Sequence, residues 1–488
     1  MKTKLFFPRA LTFAFAVVLA LVLPHDRLLA QGALTPPGPP GPSMKTLDQI
    51  EPRMPISSLP YAITNPGSYY FITNGVGISG SHGITISANN VTIDLNGFAL
   101  LGVTGALSGV FVTGNYTNIT VRNGSVNGWP GNGLDAYTVA YPRNLVFEHL
   151  TVAGNGGIGM YTEAQSTIRD CVVIRNGNSG IYIQGGIVKD CQSSSNSAEG
   201  ISTGPGTLVN GCVTWSNATV GIRLNDGSTA NGCVVTGSGS DGIRAGADAI
   251  LLACVARGNA GTGVVATTGC LMKDCQALLN LGDGILTQDG SQISGCVART
   301  NGLRGIEVGK STALGSQSSI TGCTTTQNGD DGIRVAGPAL VKDCTSSQNG
   351  AVGINTVFAS GLAGGNVITG CDVLYNRSHG IQVIFGSLVQ GNNCYGNGYN
   401  GSSVGALAGY GISVGGSGGN RIDGNHCASN NRGIDCIGSG NLITRNSCTS
   451  NLGAGTPSAN YNVSVGLNDV GPIGTAAAST SPWANISF

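Results

Sequence analysis

The chain has 488 residues, of which 80 are glycine, about 16% against the about 7% of an average protein, while charged residues make only 10%. With 41% hydrophobic residues the composition excludes a highly charged disordered chain, and glycine and proline without a three-residue period exclude collagen. Lys and Arg number 24, as do Asp and Glu, so no electrostatic field marks a nucleic-acid partner.

Lys2, Lys4 and Arg9 precede an apolar run over 10–23, and Leu28-Leu29-Ala30 follows. This pattern predicts a signal peptide over 1–30, cut near Ala30. A bilayer span needs about 18 or more apolar residues, and no such run follows. The mature chain is therefore expected to be secreted, extracellular or periplasmic, without an integral membrane segment. Loss of Lys2, Lys4, Arg9, Arg27 and Asp26 would leave 20 basic and 23 acidic residues. Residues 31–66 are expected to be a Pro-rich N-terminal segment and cap. Pro36-Pro37-Gly38-Pro39-Pro40-Gly41-Pro42 is expected as an extended spacer and Met44–Glu51 as one helical turn or two.

An internal repeat dominates the rest. Cys171, Cys191, Cys212, Cys233, Cys254, Cys275 and Cys296 recur about every 21 residues, and Cys323, Cys344 and Cys371 continue the series. Gly-Ile or Gly-Val pairs run in step, from Gly180-Ile181 to Gly433-Ile434. Within one lap the apolar pattern alternates at Ile181 and Ile183, breaks at Gly185-Gly186, resumes at Ile187-Val188, turns at Asp190 and restarts at Cys191. Such a lap predicts three short strands with turns between them, each pairing in parallel with its counterpart one lap later. The residue before each cysteine is Asp or Gly at 170, 190, 211, 232, 274, 295, 322, 343 and 370, which predicts a tight corner with left-handed backbone. Fifteen cysteines are an odd number. Equivalent Cβ atoms about 4.8 Å apart on neighbouring laps are too distant for bridges, so the column reads as small buried residues. Asn392, Asn425 and Asn446 take over this column late in the chain, with Cys394, Cys427 and Cys448 two residues on.

The frame Asn-Gly-x-x-Gly-Ile, as in Asn328-Gly329-Asp330-Asp331-Gly332-Ile333 and Asn349-Gly350-Ala351-Val352-Gly353-Ile354, resembles that of the secreted bacterial proteins of the pectin-lyase-like superfamily. The resemblance implies an all-β fold, a right-handed parallel β-helix of about 16 coils over 67–455, followed by a capping tail over 456–488.

In that family ligands lie along the outer face of the Gly-Ile strand and the turn entering it. The turn column here holds Asp241, Asp283, Arg304, Asp331 and His379, and the outward column Arg244, Glu307 and Arg334. These eight are the candidate substrate-binding residues, with no catalytic set assigned. Carboxylates can serve as acid and base at a glycosidic bond, and arginines can hold uronate carboxylates. Asp330-Asp331 and Ser378-His379-Gly380 resemble segments of polygalacturonase-like hydrolases, but the family's Asn-Thr-Asp segment is represented only by Thr287-Gln288-Asp289 and no Arg-Ile-Lys follows His379. The alternative for Asp331 is a turn-capping carboxylate, and for His379 a solvated turn residue. No cofactor is assigned, with Ca²⁺ left open but unsupported by a clear motif: Asp283, Glu307 and Asp331 fall on nearby laps but in two different columns, Gly-Gly-x-Gly-x-Asp repeats are absent, and there is no zinc-ligand spacing. Insertions fall at 309–318, 359–366 and 396–409, with Tyr395, Tyr399 and Tyr410 nearby, and Trp129 and Tyr137 form a second aromatic cluster. The expected partner is a polysaccharide, with two classes of function open: binding with or without cleavage of that polysaccharide, and a non-catalytic cell-surface or matrix rod; nothing in the repeat sets an oligomeric state.

Overall fold

From residue 160 to 395 each lap is made of three strands of three or four residues, such as Ile181–Ile183, Gly186–Lys189 and Gln192–Ser194. The computed structural model describes residues 51–136, 142–163, 165–309, 317–357, 364–399, 409–416, 418–452, 459–464 and 466–487. The segments expected as signal peptide, spacer and most of the helical turn, together with most of each insertion and Tyr137, lie outside them. Among the described residues no helix is long and apolar enough to cross a membrane.

Period-2 geometry sends Ile181 and Ile183 into the interior, both fully buried, and Tyr182 outward. Every strand pairs in parallel with the next lap: Ile181 with Ile201, Val188 with Val209, Ser193 with Thr214. The second and third strands belong to one bent sheet, because Thr117–Asn127 and Arg143–Ala153 run through the corner between them without a break. Pairing starts with Met54–Ile56 against Tyr69–Phe71 and Tyr61–Ile63 against Ile84–Ile86. It continues past residue 455, where Tyr461–Val463 and Asn485–Ser487 add strands to the same sheets.

The corner before each cysteine is left-handed as expected: φ is 54° at Asp170, 51° at Asp190, 63° at Gly211 and 56° at Asp274, and Ala253 adopts 50° in the same column. A second left-handed corner follows the third strand, at Arg175, Ser195, Ser216, Leu279, Thr300, Gln327, Gln348 and Tyr375. For an L-residue this costs roughly 1–2 kcal/mol. What offsets it stands one residue on, in a buried asparagine ladder. Asn176 donates its main-chain N–H and its Nδ2 to Asn196 Oδ1, both at 3.0 Å, and Asn196 does the same to Asn217 at 3.1 and 3.0 Å. The ladder resumes at Asn259 and runs through Asn280, Asn301, Asn328, Asn349, Asn376, Asn397 and Asn430 to Asn451. Each amide satisfies main-chain groups that the corner would otherwise leave buried and unpaired.

All fifteen cysteines are buried and unbridged. The thiols from Cys171 to Cys371 face main-chain carbonyls, as Cys233 Sγ does at 3.5 Å from Val209 O. Cys371 N donates to Asn392 Oδ1 at 2.9 Å, so the column passes to Asn392, Asn425, Asn446 and finally Asn485. The glycine before each first strand sits where the laps touch: a Cβ on Gly242 would lie 2.5 Å from Gly263 O and 2.6 Å from Asn259 Nδ2.

Candidate functional site

The turn entering each first strand stacks on the same turn one lap later, so a side chain there can accept the N–H of its own counterpart. Asp241 Oδ1 accepts from Thr262 N at 3.0 Å, Asp283 Oδ1 from Arg304 N at 2.9 Å, and Asp331 Oδ1 from Val352 N at 3.0 Å. Asn132 does this for Ile158, and the imidazole Nδ1 atoms of His82 and His379 do it for Ser108 and Tyr410. Aspartate, asparagine and histidine are thus interchangeable as turn acceptors.

The remaining oxygens are also engaged. Asp241 Oδ2 takes Arg244 Nη2 at 2.6 Å, and Asp331 Oδ2 takes Asn355 Nδ2 at 2.8 Å. Arg304 Nη1 donates to Glu307 Oε2 at 2.8 Å and lies 3.8 Å from Asp283; its Nε is 3.4 Å from Asp330. Arg334 Nε stands 3.8 Å from Glu307 Oε1. Of the eight candidates, Asp283, Arg304, Glu307, Asp331 and Arg334 come together on three successive laps. Asp241 and Arg244 lie two laps before Asp283, across Thr262 and Val265, and His379 lies two laps beyond Asp331, across Val352 and Asn355.

Glu307 is 4% exposed and Asp331 3%. Burial pushes the Asp331 carboxyl up from the usual carboxylate range, against the pull of Asn355 and the Val352 N–H. Desolvation pushes His379 down, opposed by Asp435. The His379 ring stacks on Tyr410 at 4.6 Å, and Arg432 lies over the other partner of this stack, 5.5 Å from the Tyr410 ring centre. This charged stripe is a network of internal partners. Among the described residues, no group of three or more His, Cys, Asp or Glu is placed to hold a metal ion.

A different surface is open to a ligand. At the corner between third and first strands, Thr300, Gln327, Gln348 and Tyr375 stack in one column and, with Gly350, Arg377 and Tyr399, line a groove of ≈ 600 Å³. Tyr375 meets Tyr395 edge-on, ring centres 5.4 Å apart at 81°, and Tyr399 at 6.0 Å and 71°. Tyr395 and Tyr399 are the aromatics read from the sequence beside the third insertion. Tyr375 escapes that reading because it stands in a corner column whose other members, from Arg175 and Ser195 to Gln327 and Gln348, share no chemistry. Its signal is the register that sets Leu374 against Tyr395 and so brings Tyr375 alongside.

The family model of the right handed beta helix region matches residues 68–231, 202–337 and 263–406. No curated protein matches the sequence. Solved structures similar to it include the A-module of the Azotobacter vinelandii mannuronan C-5 epimerase AlgE4, at 14% identity over 78% of this chain and 91% of that one, TM-score 0.33. Others are the periplasmic alginate epimerase AlgG, at 15% identity over 57% and 76%, TM-score 0.38, and the tailspike of E. coli bacteriophage HK620 in complex with pentasaccharide, at 12% over 84% and 73%, TM-score 0.29. With the model covering most of its length and the parallel laps described above, the chain belongs to the right-handed β-helix family.

Proposed function

We propose that the protein is a secreted, extracellular polysaccharide-binding β-helix whose binding surface is the tyrosine groove. The observation that carries this reading is the cluster of Tyr375, Tyr395 and Tyr399 beside Gln327, Gln348 and Arg377. Aromatic faces pack against the C–H faces of sugar rings, while amides and a guanidinium hydrogen-bond their hydroxyls, the mixture of apolar wall and few polar groups that ligand sites use. The carboxylates needed for bond cleavage are instead occupied by arginines and turn N–H groups. Binding without cleavage is therefore the reading favoured here.

A glycan array followed by calorimetry on the best ligand tests this. Tyr375→Ala should weaken binding at least about tenfold, the equivalent of ~1.4 kcal/mol. No new reducing or unsaturated ends should appear on prolonged incubation. Unchanged affinity in both Tyr375→Ala and Tyr395→Ala would leave the rod as a structural element, and ends whose release depends on Asp331 would restore an enzyme.

A further inference from the structure

The last laps carry a second cluster, on the second strands, beginning one lap beyond Tyr395 and sharing no lining residue with the tyrosine groove. Asp423, fully buried, accepts from Arg421 Nη2 at 3.0 Å, Thr444 Oγ1 at 3.1 Å, Gln390 Nε2 at 3.3 Å and Arg445 Nε at 2.7 Å, with Arg445 Nη2 on the same carboxylate. Two guanidinium groups therefore share one carboxylate, leaving an excess positive charge. Each guanidinium has five donors in a planar fork, and Asp423 uses only some of them. Both side chains are nearly half exposed, 46% for Arg421 and 43% for Arg445, so the unused donors face solvent.

Beside them is Trp483, 53% exposed, with Arg445 over its ring at 5.5 Å. This indole is fixed from below. Asn485, two residues on, ends the ladder from Asn446, and Arg445 N donates to Trp483 O. Arg421, Leu442, Thr444 and Trp483 line a cleft of ≈ 310 Å³. Asp469, on the strand beyond Leu442, is the next acid along this face.

From this geometry we infer that the cleft is a binding subsite for an acidic sugar, its ring against Trp483 and its carboxylate on the unused donors of Arg421, while Arg445 holds Asp423 and the indole in place. A neutral sugar would use only the indole. A carboxylate adds charge-assisted hydrogen bonds, which are roughly twice as strong as neutral ones.

Titration calorimetry of the full chain with trigalacturonate and with its methyl ester tests the subsite. The acid should bind at least about tenfold more tightly than the ester. Arg421→Gln should remove about tenfold of the acid affinity and leave the ester unchanged, since Arg445 still neutralises Asp423. Trp483→Leu should weaken both ligands; should it unfold the last lap, Arg421→Gln still decides the matter. Tyr375→Ala should leave the acid preference intact, which separates this subsite from the tyrosine groove. Equal binding of acid and ester, no heat from either, no effect of Arg421→Gln, or loss of the acid preference in Tyr375→Ala would each overturn the assignment.

Discussion

His379 accepts the main-chain N–H of Tyr410 through Nδ1 at 3.1 Å while its ring stacks on that residue 4.6 Å away. Only an imidazole with a free lone pair on Nδ1 can do this, so protonation removes the turn acceptor. Desolvation holds the folded pKa below the ordinary value, with Asp435 opposing and Arg432 and Tyr410 the other polar neighbours. A depressed histidine pKa means that the unfolded chain takes up a proton first. The contribution is fully present above about pH 6.5 and declines as pH falls toward the folded pKa. Thermal midpoints between pH 7.5 and 5 should therefore fall, by the equivalent of about 1 kcal/mol for the lost hydrogen bond. His379→Asn should flatten that part of the profile, since Asn132 already serves Ile158 in the same column.

Ser238 interrupts the main ladder between Asn217 and Asn259, and its hydroxyl is buried without a partner. Its N–H still donates to Asn259 Oδ1 at 2.9 Å, so the backbone keeps the ladder geometry. Ser238→Asn should restore the acceptor for Asn217 and raise stability by about 1 kcal/mol, whereas Asn280→Ala should cost roughly 1–3 kcal/mol by orphaning buried groups. Chemical denaturation of the two variants checks the pair.

The same ladder shows where sequence reading stopped. Cysteine spacing exposed the lap length and the corner column because thiols are rare enough to be counted. Asn328 and Asn349 were in view as part of a recurring frame, yet asparagine is common in turns, and nothing in one sequence separates a solvated turn amide from a buried one. Asp241, Asp283 and Asp331 were legible as a column but not as partners, since the N–H each holds belongs to a residue 21 positions later. Trp483 and Arg445 were hidden for another reason: from Asn446 to its ladder partner Asn485 the spacing is 39, outside the repeat.

Glycines in the two kinds of column should respond differently. A Cβ on Gly284 would meet Gly305 O at 2.5 Å, Asn301 Nδ2 at 2.7 Å and Ala298 Cβ at 2.8 Å, whereas one on Gly232, at φ +60°, meets nothing within 4 Å. Gly232→Ala should cost only the left-handed backbone penalty, roughly 1–2 kcal/mol. Gly284→Ala should cost more than about 3 kcal/mol, because neighbouring laps must separate. Urea midpoints would reverse this order only if the laps were not in contact through the glycine column.

The neighbouring thiol one lap back, together with burial, pushes Cys212, Cys233, Cys254 and Cys275 up to about 12. Thiolate is the reactive species, so these side chains should be inert in the folded protein. Because all fifteen cysteines are buried, a colorimetric thiol reagent at pH 8 should titrate none of them before denaturation and all of them after it. Fewer than fifteen after denaturation without reductant would reveal bridges.

Every column of the lap is complementary to itself: amide receives amide, thiol lies beside thiol, glycine meets the carbonyl of glycine. A copy of residues 263–283 inserted after the original would therefore find its required neighbours already on both sides. Tandem duplication of such a segment lengthens the protein without redesigning it, each copy adding about 4.8 Å. The length of rod ahead of the tyrosine groove is thus adjustable by whole laps, a ruler whose graduations selection can add or remove.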